Sequence, residues 1–138
     1  QAAVGINQLK KVDEIIRQRH KLANLYCSLL SGIKEITLHV SYPDRTSNIQ
    51  SFCVTLNNNA IISRDELMQK LNDKSISTRK GVMVIHREKA YKEICKGIML
   101  PVTEDLSDRS LLLPLYTPMD ENDVRYIVKC IKEFLEKE

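Results

Sequence analysis

Between Ser75 and Tyr91 the chain reads SISTRKGVMVIHREKAY, which gathers guanidinium, ammonium, imidazole, carboxylate and phenol groups around a single glycine, Gly81. Such a density of polar chemistry suits the wall of a pocket. Arg79 and Lys80 precede Gly81 where a strand should end. A guanidinium offers a planar fork of donors matched to phosphate or carboxylate, and glycine admits close backbone approach, so the trio can bind an anion. A solvated surface pair is the other reading of the same two cations. His86 stands at the border between the apolar run Val82–Ile85 and the polar Arg87-Glu88. It is placed either to donate to a ligand hydroxyl or phosphate or to serve as a satisfied structural histidine. Tyr91, five residues on, can hydrogen-bond a sugar or pack at a domain edge. Gln50 and Ser51 open an apolar segment, where a carboxamide and a hydroxyl face a cleft or simply mark a polar strand edge.

The remaining polar residues read as structural. His20 and His39 are expected on the surface, and the three histidines lack metal-ligand spacing. Carboxylates such as Asp13, Glu14, Asp65, Glu66, Glu121 and Asp123 fit helix capping or solvated faces better than acid and base roles. No nucleophile stands near a base at recognisable spacing, and GxGxxG, GxxxxGK[ST] and HExxH are missing, so no catalytic residue is assigned. Cys27, Cys53, Cys95 and Cys130 lie far apart in apolar surroundings and are expected to be reduced, mostly buried thiols. Lysine and arginine total 21 against 18 aspartate and glutamate, and the net +3 is spread along the chain. That pattern argues against nucleic acid and remains compatible with a phosphate-bearing small ligand. No apolar run approaches the ~20 residues of a membrane span, so a cytoplasmic location without a membrane partner is expected.

The elements that would position these groups follow from periodicity. The 138 residues, 43% hydrophobic, suffice for one core. From Ala2 to about Ser31 apolar residues recur at three- and four-residue spacings and predict one long amphipathic helix. At about 45 Å it would exceed the ~30 to 40 Å width of a domain this size. It also opens without a capping residue, so the chain is expected to start inside a longer protein's helix. Gly32 is a plausible C-cap glycine. Strands are predicted at Glu35–Val40, followed by a Pro43-Asp44 turn, and at Gln50–Leu56, ending in an Asn57-Asn58-Asn59 turn that tolerates left-handed backbone. Ser63 to Glu66 has capping-box spacing, so a helix from Arg64 to about Asp73 should bury Leu67, Met68 and Leu71. A short strand at Ile76–Thr78 should follow, with Gly81 as the break. Arg87–Cys95 and Val102–Asp108 read as short helices, the second led by Pro101. Leu111–Leu113 is a buried apolar run before Pro114, and Asp120–Glu136 is a closing amphipathic helix on Val124, Ile127, Val128, Ile131 and Leu135. The order predicts an α+β sandwich, a small sheet packed with helices.

Five ordered segments resemble one branch of the DegT/StrS-type sugar aminotransferases. They are QSFCV at Gln50–Val54, ISTRKGVM at Ile76–Met83, HREKAY at His86–Tyr91, LPVTE at Leu100–Glu104 and DRSLLLPL at Asp108–Leu115, with Gln1–Tyr26 similar to the segment that follows the family's large domain. Ile49, Lys89 and Tyr116-Thr117 stand where the branch often has tryptophan, proline and an aromatic-histidine pair. The resemblance implies a fold-type I enzyme, usually a homodimer, that uses pyridoxal phosphate (PLP) to move an amino group, commonly from glutamate, to a nucleotide-linked keto-sugar. It implies that residues 1–138 are the small C-terminal domain, with 1–31 as connecting helix, and that the PLP-binding large domain is absent. No lysine here matches the aldimine position. This chain would then bind no cofactor and be inactive alone, while its parent makes amino sugars or surface polysaccharide precursors. In the matched motifs Gln50, Ser51, Arg79, His86 and Tyr91 are the candidates for the nucleotide-sugar wall. A stand-alone interaction or regulatory module, or the family's sugar dehydratase branch, is the alternative.

Overall fold

In the computed structural model, which describes residues 1–39 and 44–135, the N-terminal periodicity yields two helices rather than one. Helix α1 spans Ala2–Leu9 and α2 spans Val12–Leu30. Lys10 and Lys11 keep right-handed backbone, but the Lys11 N–H bonds to the Gln8 carbonyl at 3.0 Å, a tighter i→i−3 step that interrupts the α register. Only the second half of α2 reaches the core, through Leu22, Ala23, Tyr26 and Leu30. On α1 nothing is buried, and Val4, Ile6 and Leu9 are 65%, 58% and 69% exposed, so its apolar side faces outward.

Four antiparallel strands form one sheet in the order β1-β2-β4-β3: β1 Ile36–Leu38, β2 Phe52–Leu56, β3 Arg79–Lys80 and β4 Ser110–Leu113. Ile36 pairs with Leu56, Phe52 with Leu113 and Arg79 with Leu112. Ile36 on β1, Phe52, Val54 and Leu56 on β2, and Leu111 and Leu113 on β4 form the sheet's share of the core, with the period of two followed along β2 and β4. Tyr26 and Leu30 of α2, Leu67 and Leu71 of α3 (Arg64–Asp73), and Val124, Val128 and Ile131 of α5 (Glu121–Leu135) join them there. The remaining helix, α4, spans Pro101–Arg109 with its proline in the first turn. This is the α+β arrangement of a small sheet and helices. Tyr26 lies at its centre, stacked on Phe52 with ring centroids 4.8 Å apart, and its hydroxyl donates to the Pro114 carbonyl at 3.0 Å. Burial pushes that phenol well above its ordinary pKa.

The capping box forms at Ser63: its Oγ accepts from the Glu66 N–H at 3.2 Å, and Glu66 Oε2 accepts from the Ser63 N–H at 2.8 Å. At its other end α3 closes differently from expectation. Ser75 takes φ +62°, its N–H reaches the Asn72 carbonyl, and the Ile76 N–H reaches the Leu71 carbonyl at 2.9 Å. This is a Schellman cap with buried Ile76 against Leu71 as its apolar contact. The cap consumes Ser75 and Ile76, so the short strand lies at Arg79–Lys80 instead of Ile76–Thr78. A left-handed serine is strained where glycine is not, so Ser75→Gly should stabilise the chain by about 0.5–1 kcal/mol, read as a higher denaturation midpoint. An unchanged or lower midpoint would show that the cap carries no such strain.

Other expectations shift for similar reasons. Gly81 does not supply a left-handed break. A Cβ there would lie 2.7 Å from Ser110 Cβ and within contact of Ser110 Oγ, so glycine is required by the close approach of β3's exit to β4. Arg87–Cys95 forms no α-helix: a 3₁₀ turn at Ile85–Arg87 leads into turns that end near Gly97, at φ +83°. Ile94, 81% exposed, has no core surface to hold a helical face against. The reversal after β2 is a turn closed from the Ala60 N–H to the Asn57 carbonyl, with none of the three asparagines left-handed. Gly32 likewise lacks positive φ. Among the free cysteines only Cys130 is buried, and Cys27, Cys53 and Cys95 are half-buried. His20 is half-buried too. Val40, Pro43 and Glu136, named in the expected strand, turn and helix, lie outside the described residues.

Candidate functional site

A cavity of about 860 Å³ opens where β3, the end of β4 and the first half of α5 converge. Two stretches of chain bring three of the predicted residues to it. Arg79 projects from β3 opposite Leu112. Gln50 and Ser51 arrive from the segment just before β2, where Ile49 at φ +47° turns the chain, and the Ser51 hydroxyl donates to Gln50 Oε1 at 2.6 Å. A β-branched residue in left-handed backbone is costly, and Ile49 offsets this by packing against the core. Lys74 and Ser75 of the α3 cap, with Tyr116 beyond β4 and Tyr126 of α5, add further polar groups to the wall.

Arg19 of α2 also lines the cavity, and sequence reasoning did not single it out. It stands three, seven and eleven residues before the buried Leu22, Tyr26 and Leu30, so a cation interrupts the apolar stripe of α2. That interruption was the available signal. Its Nε is shut off from water and has no hydrogen-bond partner among the described residues. The lining carboxylate, Asp123, accepts the Asp120 N–H at 3.0 Å and so helps cap α5.

His86 and Tyr91 do not join this cavity. The His86 ring, 9% exposed, bonds through Nε2 to Glu104 Oε1 at 2.8 Å. Glu104 also accepts from the Leu100 N–H at 2.8 Å and from Arg87 Nη2 at 2.9 Å, while Arg87 Nη1 reaches Asp108 at 2.8 Å. Together these bonds tie the 85–100 stretch to α4. The Leu100 N–H first, then His86 and Arg87, hold the Glu104 carboxyl down to about 2 from an ordinary 4.5. A carboxyl held low in the folded state contributes stability that is present above its unfolded value and lost as pH falls through its folded value. The Leu100 amide should therefore stay protected from exchange at pH 5 and lose protection between about 4.5 and about 2. Glu104→Leu, which removes the acceptor, should lack protection across that whole window, and equal behaviour of the two chains would disprove the latch. Tyr91 is 49% exposed and away from the cavity lining.

Among the described residues no group of histidine, cysteine, aspartate and glutamate is placed to hold a metal ion, and no helix is long and apolar enough to cross a membrane. The site is therefore an open, cation-lined cleft with hydroxyl and amide groups, suited to binding and orienting a polar ligand.

The fold as a whole is shared with known proteins. The model of the DegT/DnrJ/EryC1/StrS aminotransferase family matches residues 1–132. The chain is 34% identical over 127 residues to a dTDP-4-dehydro-2,3,6-trideoxy-D-glucose 4-aminotransferase of Saccharopolyspora spinosa, covering 91% of this chain and 31% of that protein. It is 26% identical over 133 residues to a GDP-perosamine synthase of Vibrio cholerae, covering 96% and 36%. Among solved structures, S. venezuelae DesV in complex with a ketimine intermediate superimposes with a TM-score of 0.88 at 28% identity, over 100% of this chain and 36% of that one. The chain thus spans about a third of the length of the curated relatives it matches. With the match running through nearly all of its helices and strands, the chain belongs to the DegT/DnrJ/EryC1/StrS aminotransferase family.

Proposed function

We propose that this chain is the small C-terminal domain of a PLP-dependent aminotransferase that passes an amino group, from glutamate, to a keto-sugar carried on a nucleotide. The observation that carries the reading is the cavity that gathers Gln50, Ser51 and Arg79 in a chain of this family. Its relatives in S. spinosa and V. cholerae are named for nucleotide-sugar chemistry. In this reading the carboxamide, hydroxyl and guanidinium orient the sugar nucleotide, and His86 and Tyr91, outside the cavity lining, are further candidates to contact it in the whole enzyme. The product feeds amino-sugar or surface polysaccharide synthesis in the cytoplasm.

The cavity by itself does not fit PLP. Its lysine, Lys74, is exposed at the end of α3, where a Schiff-base lysine needs a desolvated setting, and its carboxylate is occupied with the Asp120 N–H. PLP, bound elsewhere in the enzyme, supplies the electron sink. The exposed Val4, Ile6 and Leu9 of α1 are read as covered by the remainder of that enzyme, which works as a homodimer.

The test uses the product of the complete reading frame that contains these residues, incubated with PLP, glutamate and a 4-keto nucleotide sugar. Formation of 2-oxoglutarate and the amino sugar by that product, and by neither the 138-residue chain nor PLP alone, is expected. Transfer by the 138-residue chain alone, or none by the complete product with dTDP- and GDP-linked sugars, would overturn the reading. Release of a dehydrated sugar without amino transfer would assign the dehydratase branch instead.

A further inference from the structure

The chain has eight arginines. Arg17, Arg45, Arg64, Arg87, Arg109 and Arg125 each pair with an aspartate or glutamate. The other two, Arg19 and Arg79, have no carboxylate partner among the described residues, and both line the same cavity. A half-buried guanidinium whose Nε is closed to water and unbonded is costly unless a ligand completes it, because guanidinium donors lose hydration and gain nothing in exchange. Lys74, also without an ion-pair partner among the described residues, adds a third cation to the rim. The facing negative group, Asp123, is committed to the α5 cap, and the Tyr126 hydroxyl turns to the Lys74 carbonyl. With three cations against one carboxylate, the wall carries a net positive charge around the unbonded Arg19 Nε.

From this pairing we infer that Arg19 and Arg79 together form an oxyanion subsite that grips a multiply charged phosphate or carboxylate ligand, with half-buried Arg19 of the α2 stripe as the anchor. The inference rests on the reading of the cavity as a substrate site and deepens it. Two sources carry the required chemistry, the diphosphate of a nucleotide sugar and the carboxylates of an amino donor. Planar guanidinium forks suit both.

The experiment follows the arginine Nε–Hε resonances of the ¹⁵N-labelled 138-residue chain during separate titrations with inorganic pyrophosphate and L-glutamate, with sodium chloride at matched ionic strength as control. Arg19 and Arg79 signals should move together along one saturation curve for at least one of the two anions, and remain in place with chloride. Saturation by pyrophosphate alone assigns the diphosphate, by glutamate alone the amino donor. Arg19→Met and Arg79→Lys should each weaken binding about tenfold or more, while Arg125→Met, which removes an exposed paired charge outside the cavity, should leave it unchanged. Should Arg19→Met fail to fold, Arg79→Lys and the Arg19 signal of the unsubstituted chain still decide. Independent movement of the two signals, no movement beyond the chloride control, or equal weakening by Arg125→Met would overturn the subsite. Those failures would leave the aminotransferase assignment standing, since 2-oxoglutarate formation by the complete enzyme decides that separately.

Discussion

Replacing Arg64 with methionine lowers the unfolding free energy of the chain by about 2–4 kcal/mol, measured as a reduced urea midpoint with an unchanged slope. Arg64 is the first residue of α3 and only 7% exposed. Its Nη1 donates to the Ser107 carbonyl at 3.0 Å and to the Ser110 carbonyl at 2.9 Å, so one guanidinium joins the start of α3 to the α4–β4 junction. Methionine keeps much of the volume and removes the donors, leaving helix-end carbonyls without their charged partner. Arg64→Lys should recover little, because a single ammonium cannot also keep the bond that Arg64 Nε makes to Asp65 at 2.5 Å. A loss below about 0.5 kcal/mol for the methionine variant would mean that solvent satisfies those carbonyls equally well.

Gly81→Ala should cost about 1–3 kcal/mol or more, since an added methyl meets Ser110 on the adjoining strand at distances that side chains do not reach. The strain has a specific partner, so Gly81→Ala combined with Ser110→Gly should regain part of the loss even though each change alone destabilises. The remaining neighbour, Cys53 Sγ at 3.2 Å, needs to give only slightly. Because the Gly81 N–H also donates to the Ser110 carbonyl at 3.1 Å, the alanine variant should displace β3 and shift the Arg79 Nε resonance. Additive losses in the double variant, with Arg79 undisturbed, would refute the proposed contact.

The features legible in the sequence are those fixed by residues a few positions apart. The Ser63–Glu66 box, the apolar stripe of α5 and the Pro101 start of α4 are local signals, and each forms within a residue or so of its expected place. Arg64 was hidden because its acceptors lie 43 and 46 residues downstream. The role of Gly81 was hidden for the same reason: its conformation is ordinary, and the requirement comes from β4. The site was partly legible. Gln50, Ser51 and Arg79 meet, although nothing local shows that the approach to β2, β3 and α2 share one cleft. His86 was singled out for its border position, but its Glu104 partner, 18 residues on, turns that border into a latch. Arg19 was read as part of an amphipathic helix, since periodicity counts apolar residues and passes over the one cation among them.

The Tyr26 hydroxyl bond to Pro114 ties two sides of the cleft together, since Tyr26 lies two turns beyond Arg19 on α2 and Pro114 stands just before Leu115 and Tyr116. Both sides of the cleft are thus referred to one buried ring, so a change at Tyr26 would reach each of them. Exchange of Gln50, Ser51 or Tyr116 should therefore alter the cleft while leaving that tie in place.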